Sequence, residues 1–377
     1  MTISVAHIMR TYGVHGGERQ LAQLFSSYDD KQFEHCFFFI YKDEQCKRYF
    51  NENSTIKTKT LLALRSRTFP RMIQEFATLL ALLPILQILF ILNLLRSGSQ
   101  IVVAHGVQAA LVVWPAACLF RSRSFVYMHR GTKSKQGQHP LFSVLYRPFK
   151  IVAAVSHASA DSLRMLAPAK KIRVIENGIN IDQFTQKEID RSRVDKILRI
   201  ACIGRLIPAK GQELLLDTIA GIKQVHPDCL LQLIGEGPSE PSLRAHAQAL
   251  GITANVSFTG HSASVAQLLA DSDIFVSASR SEGLSNAVLE AMACGLPSVV
   301  IDAPGVSECH IEGLTAYITP RDSGIVAKKI LDLAGNVELQ QRMGAAARHR
   351  AESHYSISAN CHRYSMLYRE LSNIGMD

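Results

Sequence analysis

The stretch SEGLSNAVLEAMACGLPSVV, residues 281–300, decides how the chain folds. It follows an apolar run, DIFVS at 273–277, whose length and content suit a buried parallel strand. A turn carrying Glu282 and Gly283 comes next. Ser285 and Asn286 are good helix-capping types, residues 287–293 are helix-prone, and Gly295 and Pro297 stop the helix. A second apolar run, SVVI at 298–301, returns to the sheet. The unit is strand, loop, helix, strand, and its loop lies at the carboxyl end of a strand, where open α/β sheets bind ligands. Backbone N–H groups opening the helix, around Leu284 and Ser285, favour an anion such as a phosphate.

Two carboxylates frame this helix: Glu282 in the loop before it and Glu290 within it, among Val288, Leu289, Ala291 and Met292. A carboxylate on an apolar helix turn costs several kcal/mol if it is buried without a partner. Read alone, Glu282 could be a solvated loop acid and Glu290 part of an exposed stripe. The whole string weighs against that. Its E-x7-E spacing inside EGLSNAVLEAMACGLPSVV resembles the signature of the retaining nucleotide-sugar glycosyltransferases of family 4, the glycosyl transferases group 1 set.

Composition sets the frame. At 377 residues the chain is long enough for two domains. With 47% apolar and 19% charged residues it reads as globular, and its net charge of +9 points to anionic partners: nucleotide phosphates, nucleic acid or an anionic membrane surface. No zinc-finger, helix-turn-helix or aromatic–basic RNA motif supports nucleic acid, which ranks last. Eight cysteines without a C-x-x-C pair suit reduced, buried thiols and a cytoplasmic location. The apolar run at 5–9 is too short for a signal peptide, so none is expected.

In chain order, residues 3–9 read as a first strand, 12–17 as a Gly-rich turn, 18–27 as a helix and 34–41 as a second strand: the opening of a doubly wound α/β domain. Asp43 raises the question of a dinucleotide site, but Gly13, Gly16 and Gly17 are wrongly spaced for G-x-G-x-x-G. Gly16 and Gly17 resemble the first loop of family 4 enzymes, where backbone approaches the donor; they could also simply make a tight turn.

Residues 57–96 set cations, among them Lys57, Lys59, Arg65, Arg67, Arg71 and Arg96, around an apolar run at 79–95. Its length nominates a membrane span. A span would strand the first two strands across the bilayer from the rest of their sheet, and Pro84, Gln87 and Asn93 predict an interrupted helix. Two readings remain, a buried helix on the sheet or a helix whose outer face enters an anionic headgroup region, and the second is favoured.

Two further strands, IVVAH at 101–105 and SFVYMH at 124–129, each end in histidine. His129 matches the family histidine that lies beside the transferred sugar, and His105 is a weaker candidate. Arg130, Lys133 and Lys135 suit a phosphate-bearing acceptor, or equally a solvated basic loop. Residues 150–155 read as another strand with Ser156 capping the helix after it. KIRVIENGIN at 171–180 resembles the family's P-N-G-[IV]-D segment, with Glu176 and Asn180 at the proline and aspartate positions.

A strand at 198–203 opens the second half, followed by GRLIPAKG at 204–211. Arg205 and Lys210 sit in a turn feeding a helix, where two fixed cations can meet a diphosphate. They match the family's G-R-x-x-x-x-K-G motif, whose cations hold the donor diphosphate. GEGP at 235–238 resembles the turn near the nucleotide, and DAPGVSE at 302–308 resembles D-x-G-G-x-x-E, with Pro304 at the first glycine and Ala316 at a later one.

The resemblance implies an α/β, GT-B fold: two Rossmann-like doubly wound domains facing across a cleft. Residues 1–185 would form the acceptor-side domain, 186–197 a linker and 198–355 the nucleotide-sugar domain, with a terminal helix from 356 packing back on the first. It implies transfer of a sugar from a nucleotide diphosphate-sugar to a hydroxyl of a glycan or lipid-linked acceptor, with retention, in surface polysaccharide or lipid-linked glycan synthesis. His129, Arg205, Lys210 and Glu282 would serve transfer. Gly16, Gly17, Arg205, Lys210, Gly283, Leu284, Ser285 and Glu290 would bind donor, Glu282 holding hydroxyls of the sugar and Glu290 those of the ribose. No metal or other cofactor is expected. Alternatives are a sugar-nucleotide epimerase of similar fold, an inactive glycan-binding protein and a membrane-surface adaptor.

Overall fold

The apolar runs of the sequence become the strands of two parallel sheets. A computed structural model describes residues 2–11, 13–65, 72–131, 142–184, 197–262 and 264–372, with the side chains of 65, 72–77 and 142 left aside. Two units result, Met1–Gly178 with Ile357–Asp377, and Ile179–Ser356.

The first unit begins with β1 (Ile3–Met9), α1 (Gly16–Ser27), β2 (Phe33–Lys42), α2 (Glu44–Asn53) and β3 (Lys57–Arg65). A long α3 (Met72–Ser97) leads to β4 (Ile101–His105), α4 (Val107–Leu119) and β5 (Ser124–His129). Then come α5 (Phe142–Tyr146), β6 (Ile151–Ala154), α6 (His157–Asp161) and β7 (Ile172–Val174). The sheet order is β3-β2-β1-β4-β5-β6-β7, so the winding reverses between β1 and β4. Both strands pair in parallel, with Met9 opposite His105 at their carboxyl ends. β4, β5 and β6 are buried throughout, as strands covered on both faces must be.

The second unit has β8 (Leu198–Ile203), α7 (Gln212–Val225), β9 (Cys229–Ile234), α8 (Glu240–Ala249), β10 (Val256–Gly260) and α9 (Val265–Ala270). It continues with β11 (Ile274–Ser277), α10 (Asn286–Ala293), β12 (Ser298–Ile301), β13 (Tyr317–Thr319), α11 (Ser323–Ala334) and α12 (Val337–His354). Its sheet order is β10-β9-β8-β11-β12-β13, reversing between β8 and β11. The unit closes on itself: Ile179 N donates to Tyr355 O at 2.7 Å and Arg348 Nη1 donates to Phe184 O at 2.6 Å. Those bonds carry residues 179–184 into the second unit, whereas the expected first domain ran to 185; residue 185 and residues 186–196 of the expected 186–197 linker lie outside the described residues.

The last helix, α13 (Ile357–Ser372), belongs to the first unit, where Tyr364, Leu367 and Tyr368 are buried. Tyr28 and Ser365 share a hydrogen bond of 2.8 Å between their hydroxyls, and Arg369 pairs with Asp30 at 2.8 Å.

Three expectations change. β3 was not anticipated. Gly16 and Gly17 are not a tight turn: they form the first turn of α1, and of the three nearby glycines Gly13 alone has positive φ. And α3 runs through Pro84 without interruption. Pro84 and Leu80, the residue whose carbonyl it deprives of a partner, both lie on the exposed side, where water can serve that carbonyl. Gln87 and Asn93 do not break the helix either. Gln87 Nε2 donates to Leu111 O at 3.0 Å, and Asn93 Nδ2 to Leu89 O at 2.8 Å. Leu79, Leu86, Phe90 and Leu94 build one face of α3 into the core, while Leu80, Ile85, Ile88, Leu92 and Leu95 stay exposed. Residues 78–97 are long and apolar enough to cross a membrane. Yet α3 connects β3 to β4 of one parallel sheet, so it is a crossover and not a span.

Candidate active site

Residues from three loops meet at the winding reversal of the second sheet. After β8 the chain enters a 3-10 turn at Pro208–Lys210 and turns into α7 through Gly211. Gly211 has φ +67°, and a Cβ there would overlap the Ala278 carbonyl, so only glycine lets this turn approach β11 so closely. Arg280 N donates to Ala209 O at 2.9 Å and Arg321 Nη1 to Ala278 O at 2.7 Å, fixing the loop after β11 against the turn.

This brings Lys210 to Glu282. Lys210 Nζ donates to Glu282 Oε1, and Ser279 Oγ donates to the same oxygen at 2.8 Å. The side chains are 21% and 17% exposed, so the pair is shielded yet open to a ligand. Cys202 lies in the floor below. Burial pushes its thiol up to about 12, with Lys210 drawing it down and Glu282 raising it. Glu282 is set by its backbone: its N–H donates to Pro304 O at 2.8 Å, and Ser285 N donates to Gly305 O at 2.9 Å. Gly305, at φ +72°, would drive a Cβ into the Glu282 carbonyl, which is why a glycine is needed there.

Gly283, Leu284 and Ser285 lead directly into α10. Ser285 is its N-cap, and the side chain of Ser285 makes no cap hydrogen bond. The first turn of a helix presents N–H groups and the positive end of the dipole to an anion. Glu290 sits half-buried one turn on, and after burial it is the main influence raising the Cys294 thiol, to about 12. Arg205 is exposed, and its carbonyl accepts from Gln212 Nε2 at 3.0 Å. Ser279 and Arg321 were not singled out from the sequence, because nothing local marks a serine or a distant arginine as holding this loop.

The remaining candidates lie in the first unit. His129, at the end of β5, is buried, with Tyr127 Oη 3.2 Å from its Nδ1 and Ser162 Oγ 3.5 Å from its Nε2. His105 ends β4 and joins a row of imidazoles: His105 Nε2 is 3.1 Å from His7 Nδ1, and His7 Nε2 is 3.2 Å from His35 Nδ1. Burial holds His7 and His105 well below the usual histidine range, and takes His35 down to about 4. Gly17 faces Met9 and Arg130, at ordinary contact distance from where its Cβ would stand. Lys133 and Lys135 lie outside the described residues.

The family model described as Glycosyl transferases group 1 matches residues 183–350. The chain is 29% identical over 202 residues to the Vi polysaccharide biosynthesis protein VipC/TviE of Salmonella typhi, covering 48% of this chain and 34% of that protein. It is 28% identical over 200 residues to GDP-mannose-dependent alpha-(1-6)-phosphatidylinositol monomannoside mannosyltransferase of Mycolicibacterium smegmatis, covering 48% and 52% respectively. The chain thus spans between a third and about half of the length of these curated relatives. Its structure resembles that of Anabaena Alr3699/HepE, solved with UDP and glucose. The TM-score is 0.78 at 20% identity, over 98% of this chain and 100% of that one, and the likeness shows a GT-B fold. Residues 183–350, which contain the Lys210–Glu282 pair and α10, are thus the part of the chain that is similar to the glycosyl transferases group 1 family.

Proposed function

We propose that the chain is a glycosyltransferase that moves a sugar, with retention of configuration, from a nucleotide diphosphate-sugar to an acceptor hydroxyl. The observation that carries this reading is the Lys210–Glu282 pair at the winding reversal of the second sheet, next to the start of α10. A diphosphate placed there meets a fixed cation and helix N–H groups, with Arg205 on the adjoining turn. In the transfer step the bond from the anomeric carbon to the diphosphate oxygen breaks and the bond to the acceptor oxygen forms. The acceptor proton passes to the departing diphosphate. Charge grows on that diphosphate, so Lys210 and Arg205 act mainly in the transition state. Glu282 then holds hydroxyls of the moving sugar, Glu290 those of the ribose, and His129 serves the transfer step. The charges invoked are the chain's own, and no divalent ion is assigned a step.

The test is release of UDP or GDP from a panel of nucleotide sugars, with and without a lipid-linked glycan acceptor. Acceptor-dependent release by the parent, lost in Lys210→Ala and weakened through donor binding in Glu290→Ala, supports the reading. Release without acceptor, converting one sugar nucleotide into another, would favour an epimerase. Normal transfer in Arg205→Ala, Lys210→Ala and Glu290→Ala together would sink the assignment.

We place this activity at the cytoplasmic face of an anionic membrane, in surface polysaccharide or lipid-linked glycan synthesis. The observation favouring a membrane is the exposed apolar face of α3, with Ile88 59% and Leu95 52% exposed and Arg96 in its last turn. Flotation with vesicles containing anionic lipid tests this, and a chain that stays with the soluble fraction removes it.

A further inference from the structure

The first sheet also reverses its winding, between β1 and β4, and a cavity of about 380 Å³ opens at that point. Open α/β sheets bind ligands in this position, and the volume lies in the range of small-molecule sites. Met9 at the end of β1 and Arg10 after it, His105 at the end of β4, Gly106 and Gln108 at the start of α4, and Arg130 after β5 line it.

Its chemistry is one-sided. Arg10 and Arg130 are its charged lining residues, and no carboxylate lines it among the described residues. Arg10 is only 6% exposed and lies 5.0 Å from the centre of the Tyr41 ring, which fixes a cation that would otherwise be costly to bury. The 13-residue α4 starts at the wall of the cavity, and its N-cap, Gly106, has no side chain to cover the first-turn N–H groups. The nearby acids are otherwise engaged. Asp43 accepts from Thr11 Oγ1 and Gly13 N at 2.9 Å, and Glu18 accepts from His15 N at 3.2 Å.

The imidazole row holds one of the two arginines. Arg130 Nε can only donate, so His105 Nδ1 accepts from it at 3.3 Å. A neutral His105 then carries its proton on Nε2 and donates to His7 Nδ1, and His7 Nε2 donates in turn to His35 Nδ1. One donor sets the tautomer of all three rings. His35 Nε2 ends the row, buried and without a hydrogen-bond partner among the described residues.

We propose that this cavity is an oxyanion site, taking a phosphate or carboxylate group between Arg10, Arg130 and the start of α4. The assignment of that group to the acceptor substrate rests on the transfer reading above; the anion site itself does not. The test uses the full chain carrying Arg205→Ala and Lys210→Ala, so that the second unit no longer offers its own cations, and no nucleotide sugar. Inorganic phosphate and acetate are titrated separately by calorimetry. One phosphate or one acetate per chain is expected, with affinity falling at least tenfold in Arg10→Gln. Because Arg10 is buried, Gln108→Glu is measured as well. It places a like charge in the cavity with little change of volume and should give the same loss. Failure of both anions to bind, or binding unaffected by both substitutions, overturns the proposal. Since no donor is present, an absence of sugar transfer leaves this result intact, and a failed titration leaves the transfer assay intact.

Discussion

Lys210 and Glu282 neutralise each other, and under the proposed transfer this sets what each substitution does. On the proposed transfer, Lys210→Ala removes a charge that would meet the growing negative charge of the leaving group. By analogy with other preorganised donors, it should cost roughly 10²–10³ in kcat, or about 3–4 kcal/mol, with KM for the donor changed far less. Glu282→Gln keeps the shape but releases Lys210, so binding of free UDP or GDP should tighten while transfer falls. Calorimetry and initial rates on one preparation separate the two, and parallel losses in both would show that the pair is only structural. Much of this site could be read from the chain, because its charges sit in short turns between apolar runs. Arg10 and Gln108 could not. Each follows a strand 95 residues or more from the other, and only the reversal between β1 and β4 makes them neighbours.

Among the elements, α3 divides its work between two faces. Leu86, Phe90 and Leu94 are fully buried, so Leu86→Ala should lower unfolding free energy by about 2–5 kcal/mol in urea titrations. Ile88→Glu with Leu92→Glu alters only the exposed face. It should leave the urea midpoint within error and abolish vesicle flotation. Retained flotation would move the membrane contact elsewhere. The same contrast explains what the sequence revealed of the fold. β4 and β5 were legible to the residue because unbroken apolar runs end in a polar histidine. β3 was hidden because its Lys57-Thr-Lys-Thr60 opening looks like loop, whereas charge is what a strand at the open edge of a sheet uses against mispairing. Pro84 misled for a related reason: sequence shows the missing N–H but not the side of the helix on which it falls.

At the scale of the molecule, the first unit depends on both ends of the chain, since α13 brings Tyr364 and Tyr368 into it and Tyr368 Oη lies 3.5 Å from His7 Nε2. Buried imidazoles at this junction make its stability depend on pH. Burial lowers His35 to about 4 against an ordinary 6.5, and holds His7 and His105 well below the usual histidine range as well. Between those values the unfolded chain binds protons that the folded chain does not. Stability from these groups is therefore complete above about pH 6.5 and is lost as pH falls toward 4, by about 1.4 kcal/mol per pH unit for each proton. Trp114, the one tryptophan of the sequence, lies on α4 and reports on the first unit alone. His310 of the second unit, held at about 3 by burial, therefore does not enter that signal directly. Urea unfolding followed by Trp114 fluorescence should show the midpoint dropping between pH 7.5 and 5. His35→Gln should flatten that slope by about one proton, because glutamine cannot take up a proton when the chain unfolds. A midpoint constant over this interval would mean that the three rings take up protons in the folded chain as they do in the unfolded one, and the tautomer order running from Arg130 to His35 would fall with it.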